Sequence, residues 1–250
     1  MNIILIGACG RMGRNVAEVA AEQGVNVAAG VDVVPAQLAF PLYRSVADVR
    51  EDADAAIDFS SASGLESTLA VCEARGIPVV LAATGYTEAD EARIRSSAEK
   101  IAVFKTGNLS LGVNLLQMLA KKAAQVLGDA FDAEIVERHH HNKKDAPSGT
   151  ALMLAKSVNE GFGGGKENVY GRHGMVGERR QSEIGIHAVR GGTIVGEHEV
   201  MFAGEDEIVT LAHSARSRKV FASGALKAAA WLQGRAPGLY DMDDLLAGIV

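Results

Sequence analysis

The densest chemistry in the chain lies in Glu137-Arg-His-His-His-Asn-Lys-Lys-Asp-Ala-Pro-Ser-Gly-Thr150, where seven of the eight residues from Arg138 to Asp145 are ionisable. Imidazoles and ammonium groups suit proton transfer near neutral pH. Pro147-Ser148-Gly149-Thr150 follows at once and opens a helix, with Ser148 as its N-cap. Free backbone N–H groups and the positive end of the helix dipole there suit a carboxylate or phosphate. Three consecutive histidines also invite a metal, but neighbouring strand residues face opposite ways, so only His139 and His141 share a face. No zinc-type Cys or HExxH spacing accompanies them, and no metal is expected. The pattern reads as a pocket for a small anion beside an acid/base histidine. His173, His187, His198 and His213 lie outside the cluster and read as structural or surface residues.

A second constellation is Gly7-Ala-Cys-Gly10-Arg-Met-Gly13. It separates a short apolar run, Ile3 to Ile6, from a segment of helical spacing. The glycines permit a tight turn and close backbone approach to a dinucleotide pyrophosphate. The spacing is GxxGxxG, a departure from the stricter GxGxxG. Asp32 closes the next strand, where a carboxylate accepts hydrogen bonds from the adenosine ribose hydroxyls. No cation follows at Val33 or Val34, so NADH is expected over NADPH, although Arg11 lies nearby.

The elements that position these residues change rhythm at mid-chain. Strands are expected at Ile3–Ile6, Val25–Asp32, Ala55–Ser60, Ile77–Thr84 and Ile101–Lys105. Helices are expected at Arg11–Gln23, Leu65–Arg75 and from the capping box at Thr87–Asp90 to about Lys100. Continuous apolar strands alternating with helices indicate a parallel sheet covered on both faces, a doubly wound α/β fold. Its strand ends gather small and polar residues: Ser60-Ser61, Ala82-Ala83-Thr84 and Thr106-Gly107-Asn108-Leu109, all candidate cofactor contacts. Beyond a helix at Ser110–Leu127 comes a strand at Ala133–His141 and a helix from Ser148 to Val158. A glycine-rich irregular stretch, Gly161–Ser182, leads to three strands at Glu183–Arg190, Thr193–Phe202 and Glu207–Arg216, with Gly191-Gly192 as a hairpin turn between the first two. Strand after strand implies a separate α+β domain with a mixed or antiparallel sheet. A helix at Lys219–Gln233 and an acidic tail (Asp241, Asp243, Asp244) follow.

Composition narrows the class. The 250 residues are 48% hydrophobic and 22% charged, which excludes a disordered chain. Aromatics are 5% and the net charge is −6, which argues against base-stacking platforms and against a generic nucleic-acid or membrane binder. Two cysteines, Cys9 and Cys72, without a CxxC pair, and an N-terminus without a basic leader, point to a reducing, cytoplasmic setting. On the residues alone, another two-domain nicotinamide enzyme, a non-enzymatic redox sensor and a metal-dependent hydrolase remain alternatives.

The motifs GACGRMG (Gly7–Gly13), ATG (Ala83–Gly85), TGNLSLGVN (Thr106–Asn114), ERHHHNKKDAPSGTAL (Glu137–Leu152), VGEHEVMFAGEDE (Val195–Glu207) and HSARSRKVFASGALKAA (His213–Ala229) run in order over nearly the whole chain. The chain resembles the 4-hydroxy-tetrahydrodipicolinate reductase (dihydrodipicolinate reductase) family of lysine and diaminopimelate biosynthesis. The resemblance implies a dinucleotide-binding domain of residues 1–109 and 217–250. It implies a substrate and oligomerisation domain of residues 110–216, whose sheet builds a homotetramer. It implies NADH or NADPH contacts at Gly7, Ala8, Cys9, Gly10, Arg11, Met12, Asp32, Ala82–Thr84 and Thr106–Leu109. His139 then matches a proton donor/acceptor and Lys143 a proton donor. His140, Gly149 and Thr150 match contacts to a cyclic dicarboxylate substrate. The family often carries GTT where this chain has Ala82-Ala83-Thr84, and a basic residue after the ribose carboxylate that is absent here.

Overall fold

In the computed structural model, which describes residues 1–248, the elements run in chain order β1 (Asn2–Ile6), α1 (Arg11–Glu22), β2 (Asn26–Val31), β3 (Leu42–Tyr43), β4 (Ala55–Asp58), α2 (Leu65–Arg75), β5 (Val79–Leu81), α3 (Glu88–Ala98), β6 (Ala102–Lys105), α4 (Leu111–Leu127), β7 (Asp132–His139), α5 (Gly149–Gly161), β8 (Glu167–Tyr170), β9 (Glu183–Arg190), β10 (Gly196–Ala203), β11 (Ile208–Ala215), α6 (Lys219–Leu232), β12 (Gly238–Tyr240) and α7 (Met242–Ala247). They form two units, residues 1–111 with residues from 218 onward, and residues 112–217. Residues 249–250 of the expected first domain lie outside the described residues.

Alternation along β1 shows why the first unit is layered. Ile3 and Leu5 join a core with Val16, Val19 and Ala20 of α1, Ala225 and Ala229 of α6 and Leu245 of α7. Ile4 and Ile6 join the opposite core with Leu65, Leu69 and Cys72 of α2 and Ile94 of α3. Side chains leave a strand on alternate sides, so a continuously apolar strand needs helices on both faces. The sheet order is β12-β6-β5-β4-β1-β2-β3 and every pair is parallel, the Rossmann-type arrangement. Direction of growth reverses between β1 and β4, which sets the ligand position at their carboxyl ends. The expected helix cap holds: Thr87 and Asp90 form a reciprocal capping box at α3. Strand β5 is shorter than its apolar run, stopping at Leu81.

The second unit carries a mixed sheet of order β11-β10-β7-β9-β8. In β7 the buried residues alternate, Ala133, Ile135, Glu137 and His139. The first two pack in one core with Leu116 and Ala120 of α4 and Leu154 and Val158 of α5. The same pleat therefore carries Glu137 and His139 onto the helix-covered face.

The hairpin expected at Gly191-Gly192 is absent. Strand β7 lies between β9 and β10, parallel to the former and antiparallel to the latter. The connection crosses the end of β7 instead. Gly191 N–H donates to His139 O at 2.9 Å, His140 N–H to Ile194 O at 2.8 Å and His141 N–H to Gly192 O at 3.3 Å. That crossing ends β7 at His139, two residues before the expected end. The stretch from Gly161 to Ser182 is not wholly irregular, since β8 pairs parallel with β9. The acidic tail is also structured: Asp241 caps α7 in a capping box with Asp244, and β12 adds an edge strand to β6. Among the described residues no helix is long and apolar enough to cross a membrane.

Candidate active site

The glycine loop sits at the reversal of the first sheet. Gly7 has φ +80°, and a Cβ there would stand 2.9 Å from backbone atoms of Phe59 and Ser60. At Gly13 an added Cβ would collide with Gly7 O and the Ala8 backbone. Both positions thus require glycine for the loop to close on α1. Gly10 is the N-cap of α1 and supplies no side-chain cap. The first amides of the helix therefore remain open to an anion, which fits a pyrophosphate. A cleft of about 480 Å³ opens here, lined by Gly7, Gly10, Asp32, Arg44, Phe59 and Ser60 among others.

Asp32 is tied to the loop it faces: Oδ2 accepts from Cys9 N–H at 2.8 Å and Oδ1 from Val34 N–H at 3.0 Å. Asp58, buried at the end of β4, accepts from Ser60 N–H and Oγ and from Thr68 Oγ1, and so fixes the opposite wall. Burial raises its pKa against these three donors. Ala82–Thr84 and Thr106–Leu109 lie at the carboxyl ends of β5 and β6, as expected, but outside the lining of this cleft. Thr106 Oγ1 and Asn108 Oδ1 spend their hydrogen bonds shaping their own loop. Leu109 is buried against α6, where Gly224 alone leaves room for its carbonyl.

In the second unit one carboxylate organises everything around it. Glu137 is fully buried. It accepts from His139 Nδ1 at 2.7 Å, from Ser148 N–H at 2.9 Å and from Arg190 Nη1 and Nη2 at 2.7 Å each. Burial pushes its pKa up, yet these donors outweigh burial and hold it below the usual carboxylate value. A carboxylate at Nδ1 fixes the tautomer: Nδ1 carries the hydrogen and Nε2 is the nitrogen left to exchange protons. Burial draws the His139 pKa down, and the Glu137 charge opposes it only in part. Gly196 makes room for the ring, since a Cβ there would lie 3.1 Å from His139 Nε2.

Ser148 performs two tasks at the head of α5. Its Oγ accepts from Ala151 N–H as the N-cap and lies 3.0 Å from His198 Nε2. His198 is buried and packs edge-on against His139, with ring centroids 5.2 Å apart. Desolvation, with the neighbouring His139, lowers its pKa to about 4, so it is neutral. Gly149 and Thr150 form the first turn of α5. Lys143 Nζ pairs with Asp145 at 3.0 Å, and His140 Nδ1 is buried without a hydrogen-bond partner among the described residues.

The sequence reading assigned no role to Glu137, Arg190, His198, Gly196 or Arg44. Glu137 was within reach, because it sits two residues before His139 on the same strand face. Arg190 and His198 reach the site only through strand pairing, and no local pattern marks them.

Fold and side chains together define a class: an oxidoreductase of the Rossmann type with a second α+β unit that holds a buried carboxylate–histidine pair. Comparison with known proteins narrows it. Residues 1–109 match the family profile described as Dihydrodipicolinate reductase, N-terminus, and residues 112–246 the one described as Dihydrodipicolinate reductase, C-terminus. The 4-hydroxy-tetrahydrodipicolinate reductase of Caldanaerobacter subterraneus subsp. tengcongensis is 49% identical over 98% of both chains. That of Thiobacillus denitrificans is 45% identical, again over 98% of both. Among solved structures, a dipicolinate-bound dihydrodipicolinate reductase from Paenisporosarcina sp. TG-14 shares the fold, with TM-score 0.79 and 23% identity over 96% of this chain and 97% of that one. The chain belongs to the dihydrodipicolinate reductase family. Its activity is the reduction of 4-hydroxy-tetrahydrodipicolinate in lysine and diaminopimelate biosynthesis, with NAD(P)H as the reductant of the family.

Proposed function

We propose that His139 and Lys143 carry the proton steps of this reduction and that the head of α5 holds the substrate. The observation that supports this reading is the Glu137–His139 pair at 2.7 Å, set directly below Ser148 at the start of α5. The substrate is a cyclic imine dicarboxylate bearing a hydroxyl group. Its hydroxyl must leave as water: Lys143 suits the proton donor to the departing oxygen, and His139 Nε2 takes the proton that the adjacent ring carbon loses as the C=C forms. When bound, the reduced nicotinamide supplies a hydride. Hydride addition to the conjugated imine leaves an enamine, and His139 Nε2 delivers the proton that completes it. Glu137 holds the ring so that only Nε2 faces the substrate. One substrate carboxylate is held by the N–H groups of Gly149 and Thr150, with His140 beside it.

On the nucleotide side, Gly7–Met12 hold the pyrophosphate and Asp32 accepts from the adenosine ribose. Ala82–Thr84 and Thr106–Leu109 line the path of the nicotinamide. With no cation at Val33 or Val34, NADH is the preferred cofactor. The protein works as a cytoplasmic homotetramer built through the sheet of the second unit. The decisive test is His139→Gln: kcat falls about 10²–10⁴-fold, while NADH affinity measured by fluorescence titration is unchanged. Turnover at the wild-type rate removes His139 from the mechanism.

A further inference from the structure

We infer that Arg190 is a positioning residue for both proton carriers: one guanidinium holds the carboxylate that orients His139 and the loop that bears Lys143. This rests on reading His139 and Lys143 as the groups that move protons. Register puts Arg190 in place. Strands β7 and β9 pair in parallel with Ile135 opposite Ile186, Glu137 opposite Ala188 and His139 opposite Arg190. Ile184 and Ile186 pack in the helix-covered core, so Arg190, two pleats further on, leaves β9 on that same face. The residue after it adds a backbone tie, from Gly191 N–H to His139 O at 2.9 Å.

The guanidinium faces two ways at once. Nη1 donates to Glu137 Oε2 and Nη2 to Glu137 Oε1, a bidentate pair that fixes the carboxylate in its plane. Nη1 also donates to Val189 O at 2.8 Å and Nη2 to Asp145 O at 2.7 Å. The Asp145 carbonyl belongs to the irregular segment between β7 and α5. That segment is held near its ends by His141 N–H on Gly192 O and by Ser148 N–H on Glu137 Oε1. Arg190 holds its middle. Asp145 carries the tie onward, because its own carboxylate pairs with Lys143 Nζ at 3.0 Å. One side chain thus reaches His139 through Glu137 and Lys143 through Asp145. A lysine in its place keeps the charge but lacks the fixed fork that serves both directions.

The electrostatics give this role a sign. The charged and titratable groups around His139 are Glu137 on its own strand, Arg190 of β9, His198 of β10 and Lys143 of the loop. Burial lowers the His139 pKa, Glu137 raises it, and Lys143 and Arg190 lower it. Removing Arg190 deletes one opposing cation and leaves the Glu137 charge less neutralised, and both changes favour the imidazolium. The His139 pKa therefore rises without Arg190, the reverse of its response to losing Glu137.

The test is steady-state oxidation of reduced nicotinamide across pH for the wild type, Arg190→Met and Arg190→Lys, at a temperature where circular dichroism shows each folded. His139→Gln and Lys143→Met are measured beside them. In Arg190→Met the limb of the pH–rate profile that belongs to His139 moves to higher pH, and kcat falls about 10–100-fold, the scale of a misplaced reacting group. KM for the dicarboxylate stays within about threefold, because the lost interaction acts on the proton steps rather than on binding. Arg190→Lys folds with the charge in place: its limb stays near the wild-type position, while kcat remains about tenfold low because the loop is no longer held. A limb unmoved in Arg190→Met, or full wild-type kcat in Arg190→Lys, overturns the positioning role while His139→Gln and Lys143→Met still lose turnover. Wild-type turnover in His139→Gln and Lys143→Met overturns the reading of the proton carriers, and the role of Arg190 with it.

Discussion

Replacing Glu137 by glutamine removes one charge and little volume from the centre of the second unit, and two separate losses follow. The first is stability. Glu137 is fully buried and meets Arg190 through two bonds of 2.7 Å, while the Arg190 side chain is 19% exposed. Removing one member of such a pair strands the other and costs about 3–5 kcal/mol. Arg190 keeps two bonds, from Nη2 to Asp145 O at 2.7 Å and from Nη1 to Val189 O at 2.8 Å, which places the cost near the lower end. About 3 kcal/mol in a chain of this size lowers Tm by roughly 6–12 °C. The second loss is catalytic. The amide no longer dictates that Nδ1 of His139 carries the hydrogen, and the ring samples the tautomer that faces the substrate wrongly. Where a carboxylate sets the tautomer of a proton-transferring imidazole, its loss costs up to about 10⁴-fold. A kcat reduced about 10²–10⁴-fold is expected at a temperature where the variant is folded. Loss of the negative charge also removes the interaction that opposes burial, so the His139 pKa falls further. The limb of the pH–rate profile that belongs to His139 then moves to lower pH. The assays are thermal unfolding and steady-state oxidation of reduced nicotinamide across pH. A lowered Tm with wild-type kcat and an unmoved limb would show that Glu137 is structural only.

Gly196→Ala places a methyl 3.1 Å from His139 Nε2; kcat is expected to fall at least about tenfold while Tm drops by only a few degrees, as suits one crowded contact, and an unchanged kcat would mean that the ring has room to move without consequence. Stability should also decline in acid through His198. Its folded pKa, about 4, lies below the unfolded value of about 6.5, so the unfolded chain binds the proton first. The contribution is intact above about pH 6.5, shrinks as pH falls and is gone below about 4, an effect of about 3 kcal/mol for this buried ring. Chemical denaturation of the wild type and His198→Asn between those pH values checks it, and equal pH slopes for both would refute the assignment.

What the sequence made legible follows from range. The glycine loop, the capping box at Thr87 and the N-cap at Ser148 are decided by residues within about four positions of one another, and each forms as read. Gly191-Gly192 shows the limit. The dipeptide turns the chain, but the hairpin pairing read from it does not form, because the sheet places β7 between the two strands it joins. The same insertion of β7 brings Arg190 from one neighbour and His198 from the other onto opposite sides of Glu137 and His139. The site is therefore a product of strand order rather than of the basic run that announces it. Arg44 repeats the lesson in the first unit, where a two-residue strand too short to read from its pattern sets a cation beside Asp32. In both units the conspicuous motif supplies the groups proposed to react or to bind phosphate. Apart from Glu137, which shares a strand with His139, the residues that flank these groups arrive from the adjacent strands, where hydrogen-bonded register brings together positions remote in sequence.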